Sequence, residues 1–328
     1  MDGIQLEIMW SNMISIVSDQ AKALKRTAFS PIVREAGDLA TALFDSEGRM
    51  VAQALIGTPG HINSLGAAAS KMLEVIPKEQ INPGDVLITN DPWLSAGHFF
   101  DITLLTPIFR NDNIIGFCGS TIHHTDIGGY GVGAGARDIH EEGLWIPVLK
   151  LYESGKPNTT LHTIIRTNVR TPNAIFGDLG AQSSSGQIGA ERLNAMCDRY
   201  NIIDIDELSA EIIARSEKAT QEAIRDLPPG TFHGQSDFDV PGGDVITLKT
   251  AVTVDSDKGE ITVDFEGSSA PSKLGINVVE AYTHAYATFA IRSILNPDLP
   301  NNAGSLAPIK LKLPEKCIIN AQYPSPVN

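Results

Sequence analysis

The chain has 328 residues, 42% of them hydrophobic, which is enough for one large or two medium domains with a real core. Its 25 basic against 39 acidic residues leave a net charge of -14, which opposes non-specific binding to phosphate backbones or to an anionic membrane. The three cysteines, Cys118, Cys197 and Cys317, are widely spaced and lack a Cys-x-x-Cys. They indicate neither a disulfide framework nor a thiolate zinc site, and with no basic leader and no apolar run of about 18 residues a cytoplasmic setting is expected.

Apolar residues at helical spacing from Leu6 to Leu24 predict an opening amphipathic helix, closed by Lys25-Arg26 where a helix C-terminus favours positive charge. A hairpin follows, with strands over Leu39–Phe44 and Arg49–Leu55 and a turn at Asp45–Gly48. Ser64–Ile76 reads as a helix, and Asn82-Pro-Gly-Asp85 as a turn feeding the short strand Val86–Thr89, which delivers Asn90-Asp91-Pro92.

The pattern His98-x-x-Asp101, followed by His123-His124, carries the most chemical content. Asp101–Phe109 reads as a strand, Arg110–Asn113 as a turn and Ile114–Ile122 as the returning strand. With the turn centred on Asp112, Asp101 falls opposite His123, at a Cβ separation of roughly 5 Å. His98, at the end of the loop Ser95-Ala-Gly97, can fold back over that pair. Two imidazoles and a carboxylate with room for water suit a catalytic divalent metal. Histidines at strand ends are also often satisfied core or surface residues, and spacing alone does not separate the two readings.

The glycine-rich run Gly128–Gly135 contains no Gly-x-x-x-x-Gly-Lys-Ser/Thr and is expected to be a loop that lets backbone approach a ligand. Asp206–Arg225 reads as a helix stopped by Leu227-Pro-Pro-Gly230. Val245–Val254 and Glu260–Phe265 form another hairpin, and Asn277–Leu295 another helix. Strands and helices interleave without a steady βαβ rhythm, so the expected class is α+β, with mixed, largely antiparallel sheets and packed helices. The Pro-rich stretch Cys317–Asn328 lacks a capped terminal element, as if a longer chain had been cut.

Several stretches together resemble the hydantoinase B/5-oxoprolinase family. They include Lys25–Pro31, Ala42–Arg49, Asn90–Pro92, Gly97–Asp101, His123–Gly129, Glu141–Pro147, Asn168–Arg170, Gly177–Gln182, Asp264–Ser269 and Pro300–Gly304, collinear over essentially the whole chain. The resemblance implies a metal-binding catalytic region over 1–230 and the incomplete start of a second α+β region over 231–328. It implies that His98, Asp101 and His123 bind one divalent metal, with zinc, manganese and iron equally compatible. Asp38 falls where some members supply a further carboxylate, and it is equally readable as a turn residue entering a strand. His61 and His124 match polar positions expected to support the metal or touch substrate. Glu142 has a similar claim, although an exposed charge is the commoner fate of a glutamate. Two departures limit the transfer: Ser95-Ala-Gly97 stands where the family usually has a Gly-Gly-Thr-like run, and family members continue beyond residue 328.

The resemblance further implies a hetero-oligomer. A hydantoinase A-type partner of the actin-like ATPase kind uses ATP to phosphorylate the substrate oxygen, and the metal-bearing protein completes the reaction. The expected substrate is a small cyclic amide of the hydantoin, 5-oxoproline or lactam kind, as in N-methylhydantoinase or 5-oxoprolinase. Phosphorylation makes such an amide reactive enough for water activated by a metal at neutral pH. Two alternatives stay open: a component of an ATP-dependent ketone carboxylase of the acetone or acetophenone type, and an inactive fragment that only binds the partner.

Overall fold

Helix α1 (Gly3–Thr27) buries the stripe Leu6, Met9, Met13 and Val17, as its spacing predicts, and ends at Lys25 and Arg26. A π-helical turn (Ile32–Ala36) closes at Gly37, whose left-handed φ of 73° favours glycine, and the chain enters β1 (Leu39–Phe44) and β2 (Met50–Gln53). The computed structural model describes residues 3–240 and 244–328. Helix α2 (Pro59–Val75) starts five residues before the expected Ser64, because proline at the first helical position gives up only an N–H with no acceptor inside the helix. That earlier start brings His61 onto the helix.

Strands β3 (Val86–Thr89), β4 (Asp101–Arg110) and β5 (Asn113–His123), then helix α3 (Ile139–Glu142) and strands β6 (Leu149–Glu153) and β7 (Lys156–Pro157), complete the first half. The main sheet runs β2-β1-β5-β4-β3-β6-β7, with every neighbouring pair antiparallel. Its central strands are covered on both faces, which is why they read as continuous apolar runs. Along β1, Leu39 and Leu43 pack with the α1 stripe, while Ala40, Ala42 and Phe44 pack with Leu65 and Met72 of α2.

Helices α4 (Thr159–Asn168) and α5 (Pro172–Tyr200) were not expected from the sequence. Glycines and a serine run break the apolar rhythm of α5, and the packing explains them. A Cβ at Gly189 would stand 2.5 Å from Cys118 Sγ, and one at Gly186 would be 3.0 Å from Thr106 Cβ, so α5 lies almost in contact with β4 and β5. Together α1 and α5 cover one face of the sheet, and α2 covers the other.

After α6 (Asp206–Arg225), the strands β8 (Gly230–Asp239), β9 (Val245–Asp255), β10 (Glu260–Asp264) and β11 (Ile309–Lys312) form a second sheet in the order β11-β10-β9-β8, with only β10 and β11 parallel. Strand β8 is exposed along its whole length and too polar to read as a strand. Helix α7 (Glu280–Leu295) packs against α2, and the short α8 (Ala303–Leu306) against α6. The architecture is the expected α+β class. The stretch Cys317–Asn328 folds back on the first half: Trp93 Nε1 donates to Ala321 O at 2.9 Å and Ile139 N to Pro324 O at 3.1 Å.

Candidate metal centre

The hairpin register places the site. Asp101 pairs with His123, as the sequence predicts, but by a different route. The turn has two central residues, Asn111 and Asp112, both at positive φ, so Arg110 pairs with Asn113 and Phe109 with Ile114. That register alone would set Asp101 opposite Ile122. An irregularity between Ile108 and Phe109 advances β5 by one residue, and from Ile108–Gly116 onward the pairing carries Asp101 to His123. Since β1 pairs Leu39 with Ile122, Asp38 comes level with His123 on the other side, and His123 N donates to Asp38 O at 3.3 Å. Asp38, His123 and Asp101 thus form a row across three adjacent strands.

His61 descends on this row from the first turn of α2, and His98 from the loop before β4. Asp101, fully buried, receives a hydrogen bond from His123 (Nδ1 to Oδ1, 3.0 Å), and its Oδ2 lies 2.9 Å from His98 Nε2 and 3.6 Å from His61 Nδ1. Burial works to raise the Asp101 carboxyl, but the charges of His61 and His98 and the His123 hydrogen bond prevail and hold it far below the usual carboxylate range. Asp38 Oδ1 accepts from Thr58 Oγ1 at 2.6 Å and lies 2.9 Å from His61 Nε2. Burial again opposes its charge, and His61 and Thr58 leave its carboxyl below the ordinary value.

Among the described residues, His98, Asp101 and His123 can each offer one ligand atom with all three within 4.8 Å of one another. The fit to a cation is supported by what they leave unsatisfied. Asp101 Oδ2, His98 Nδ1 and both ring nitrogens of His61 are buried without a well-aligned hydrogen-bond partner, a concentration of unmet polar atoms that an ion would relieve. Two imidazoles and one carboxylate, with a second carboxylate at hand, make a borderline-hard donor set suited to zinc, manganese or iron.

His124 is not gathered with the others. Successive strand residues face opposite ways, and His124 turns toward α5, where Nε2 meets Gln182 Oε1 at 3.2 Å. Burial pushes the His124 imidazolium down to about 4, so the ring is neutral at pH 7. Gln182 Nε2 in turn donates to Ile102 O at 3.1 Å, fastening α5 to β4 behind the metal row.

Glu142 is fully buried, so the exposed-charge reading fails. Its Oε1 accepts from Val327 N at 2.5 Å and Asn328 N at 2.9 Å, and Oε2 has no partner. Burial pushes the carboxyl up to about 7, against those two N–H donors and the charge of His98. The raised value means the folded state favours the protonated form, so this group's contribution is flat below the unfolded pKa near 4.5. It is lost as pH rises from there to about 7, by about 3 kcal/mol in all. Urea unfolding at pH 5 and pH 8 should therefore show a decline in the native protein that Glu142→Gln largely abolishes. Equal pH slopes in the two proteins would show that Glu142 is already ionised.

Tyr282, from α7, escaped sequence reading. A Cβ at Gly60 would stand 2.8 Å from its ring, one at Gly97 would stand 3.0 Å from it, and its centroid is 6.5 Å from the His61 ring. Gly60 and Gly97 immediately precede His61 and His98, so these two Gly-His pairs were the available signal. The glycine-rich loop also departs from expectation at its start. Gly128 and Gly129, at φ 79° and 56°, pack against the backbone of Asn168 and of residues 141–143, so their glycines serve the chain's own close packing.

No helix among the described residues is long and apolar enough to cross a membrane. The family model described as hydantoinase B/oxoprolinase matches residues 2–328. An uncharacterised protein of Methanocaldococcus jannaschii is 33% identical over 333 residues, covering 100% of this chain and 58% of the relative. A putative D-/L-hydantoinase component of a Pseudomonas species, strain NS671, is 30% identical over 344 residues, covering 99% of this chain and 58% of the relative. The crystal structure of the ATP-dependent caprolactamase of Pseudomonas jessenii superposes with a TM-score of 0.90 at 26% identity, covering 100% of this chain and 57% of that one. The chain therefore spans a little over half the length of these relatives.

Proposed function

Because the chain belongs to the hydantoinase B/oxoprolinase family, we propose that it is the metal-bearing part of an ATP-dependent cyclic-amide hydrolase. In this reading it acts in the cytoplasm on a hydantoin, oxoproline or lactam whose amide oxygen a hydantoinase A-type ATPase partner has phosphorylated. The observation that carries the reading is the buried Asp101 carboxylate ringed by His61, His98 and His123. A relative named as a putative hydantoinase component and a structural neighbour named as an ATP-dependent caprolactamase point to the same chemistry.

His98, Asp101 and His123 would hold one divalent ion, with Asp38 beside them. Such an ion supplies Lewis acidity, polarising an acyl oxygen and easing the ionisation of water. Thr58 and His61 orient Asp38, and His123 receives its orientation from Asp101. Tyr282 closes one side and limits the water reaching His61. Glu142, poised near neutrality, can hold or release a proton at Oε2, the oxygen that no protein donor occupies.

Reconstitution with a matched ATPase partner tests the assignment. ATP turnover should require both proteins and a cyclic amide, and the chain alone should hydrolyse neither ATP nor lactam, since it has no phosphate-cradling motif and an unactivated amide resists attack. Turnover driven by a ketone and bicarbonate, but not by cyclic amides, would reassign the site to carboxylation. Robust ATP turnover by the purified chain, abolished by mutation within it, would place the nucleotide site here.

A further inference from the structure

Behind the first turn of α2 lies a cavity of about 440 Å³, within the range of small-molecule sites. Its walls come from α1, the end of β2 and the segment after it, the start of α2, the C-terminal part of α7 and the segment 297–301 that follows it. Pro59 and Ile62 face it, while Thr58 and His61 of the same turn approach Asp38. The cavity and the metal row thus share one turn of helix but not their lining side chains.

Arg292 sets the chemistry of this cavity. It lines the space yet is only 7% exposed, and no carboxylate among the described residues comes within 4.0 Å of it. Its hydrogen bonds go to neutral acceptors, Asn296 Oδ1 and Leu299 O (2.7 Å), and its Nε is buried with no partner. A buried guanidinium without a counter-ion is costly, and a bound anion would neutralise it. Near it Asn301 Nδ2 donates to Gln53 Oε1 and Asn63 Oδ1, both at 2.7 Å, giving a polar but uncharged wall. Ile14, Ile56, Ile62 and Phe289 supply apolar surface. Asp298, the other charged residue of the lining, is exposed and would repel a second negative charge.

We propose that this cavity is a second ligand site, separate from the metal row, which takes a small monocarboxylate with an apolar body and holds the carboxylate on Arg292. One cation, amide walls and an acid at the rim suit a monoanion better than a phosphate.

Calorimetric titration of the purified chain with hexanoate and its neutral isostere hexanamide tests this. Hexanoate should bind at least about tenfold more tightly, the difference expected of a charge-assisted pair. Arg292→Met should erase the preference while keeping or raising the thermal midpoint, because a buried unpaired charge has been removed. Ser293→Trp, which fills the cavity from an exposed helix position, should abolish hexanoate binding with Arg292 in place. Asp101→Asn should leave hexanoate binding intact. No binding at millimolar concentration, equal binding of the two compounds, or retention in Arg292→Met would overturn the proposal. So would loss in Asp101→Asn, which would put the carboxylate on the metal row instead.

Discussion

Alanine at His98 or His123 is expected to lower divalent-metal affinity by at least about 100-fold, since even changes to the partners of metal ligands commonly cost roughly 10- to 100-fold. The native protein should bind close to one ion per chain by elemental analysis. Asp101→Asn should be as severe as either histidine change, because Asp101 is the fully buried anion that three imidazoles surround. Asp38→Asn should fall in the milder range of roughly 10- to 100-fold: it is partly exposed, its Oδ1 is engaged by Thr58, and a row neighbour need not be a direct ligand. His124→Ala provides the contrast. It should leave metal content unchanged and yet destabilise the fold by about 2 kcal/mol, because Gln182 Oε1 loses its partner in a buried setting. Full metal retention in both His98→Ala and His123→Ala would eliminate this site, whereas retention in Asp38→Asn alone would only shorten the ligand set to three.

The row of metal candidates was legible because strand pairing is a local rule. A turn signal and alternating apolar residues sufficed to set Asp101 against His123, although the two-residue turn and the compensating irregularity near Phe109 were not foreseen. The motifs shared with the hydantoinase B/oxoprolinase family were legible as a pattern but not in their purpose, and several prove to be backbone staples. Asn90 accepts from Ile146 N and donates to Phe99 O and Leu144 O. Asp126 accepts from the backbone N–H groups of Gly128, Arg170 and Thr171, tying the exit of the histidine pair to the start of α5. Asp178 accepts from Phe29 N and Ser30 N, locking α5 to the end of α1. No periodicity reveals such contacts, since most of their partners lie tens to more than a hundred residues away. Tyr282 and Arg292 stayed hidden for the same reason: α7 reads as an ordinary helix, and its value lies in what α2 presents to it. Helix α5 was invisible because the glycines that permit its close packing are those that weaken a helical signature.

Two glycine substitutions should have effects of opposite sign, and the difference tests the packing directly. Gly304, in the stretch Pro300–Gly304, is the second residue of α8, whose capping box joins Asn302 and Ser305. A Cβ there would overlap the Ile213 carbonyl oxygen, stand 2.7 Å from its carbon and come 3.1 Å from Glu217 N. These are backbone atoms inside α6 and have no rotamer to change, so α8 must move bodily away from α6. The shift would also strain the buried bond from Asn302 Nδ2 to Ser216 Oγ, 2.7 Å long. Gly304→Ala is therefore expected to cost about 3 kcal/mol or more, the range of overpacking combined with a damaged buried hydrogen bond. Gly180, inside α5, has no atom within 4 Å of the corresponding position. Gly180→Ala should instead stabilise by about 0.5–1 kcal/mol, through the lower backbone entropy of alanine in the unfolded chain. Urea midpoints of the two variants against the native protein measure both. A neutral Gly304→Ala would mean that α8 does not dock on α6 as closely as these contacts require.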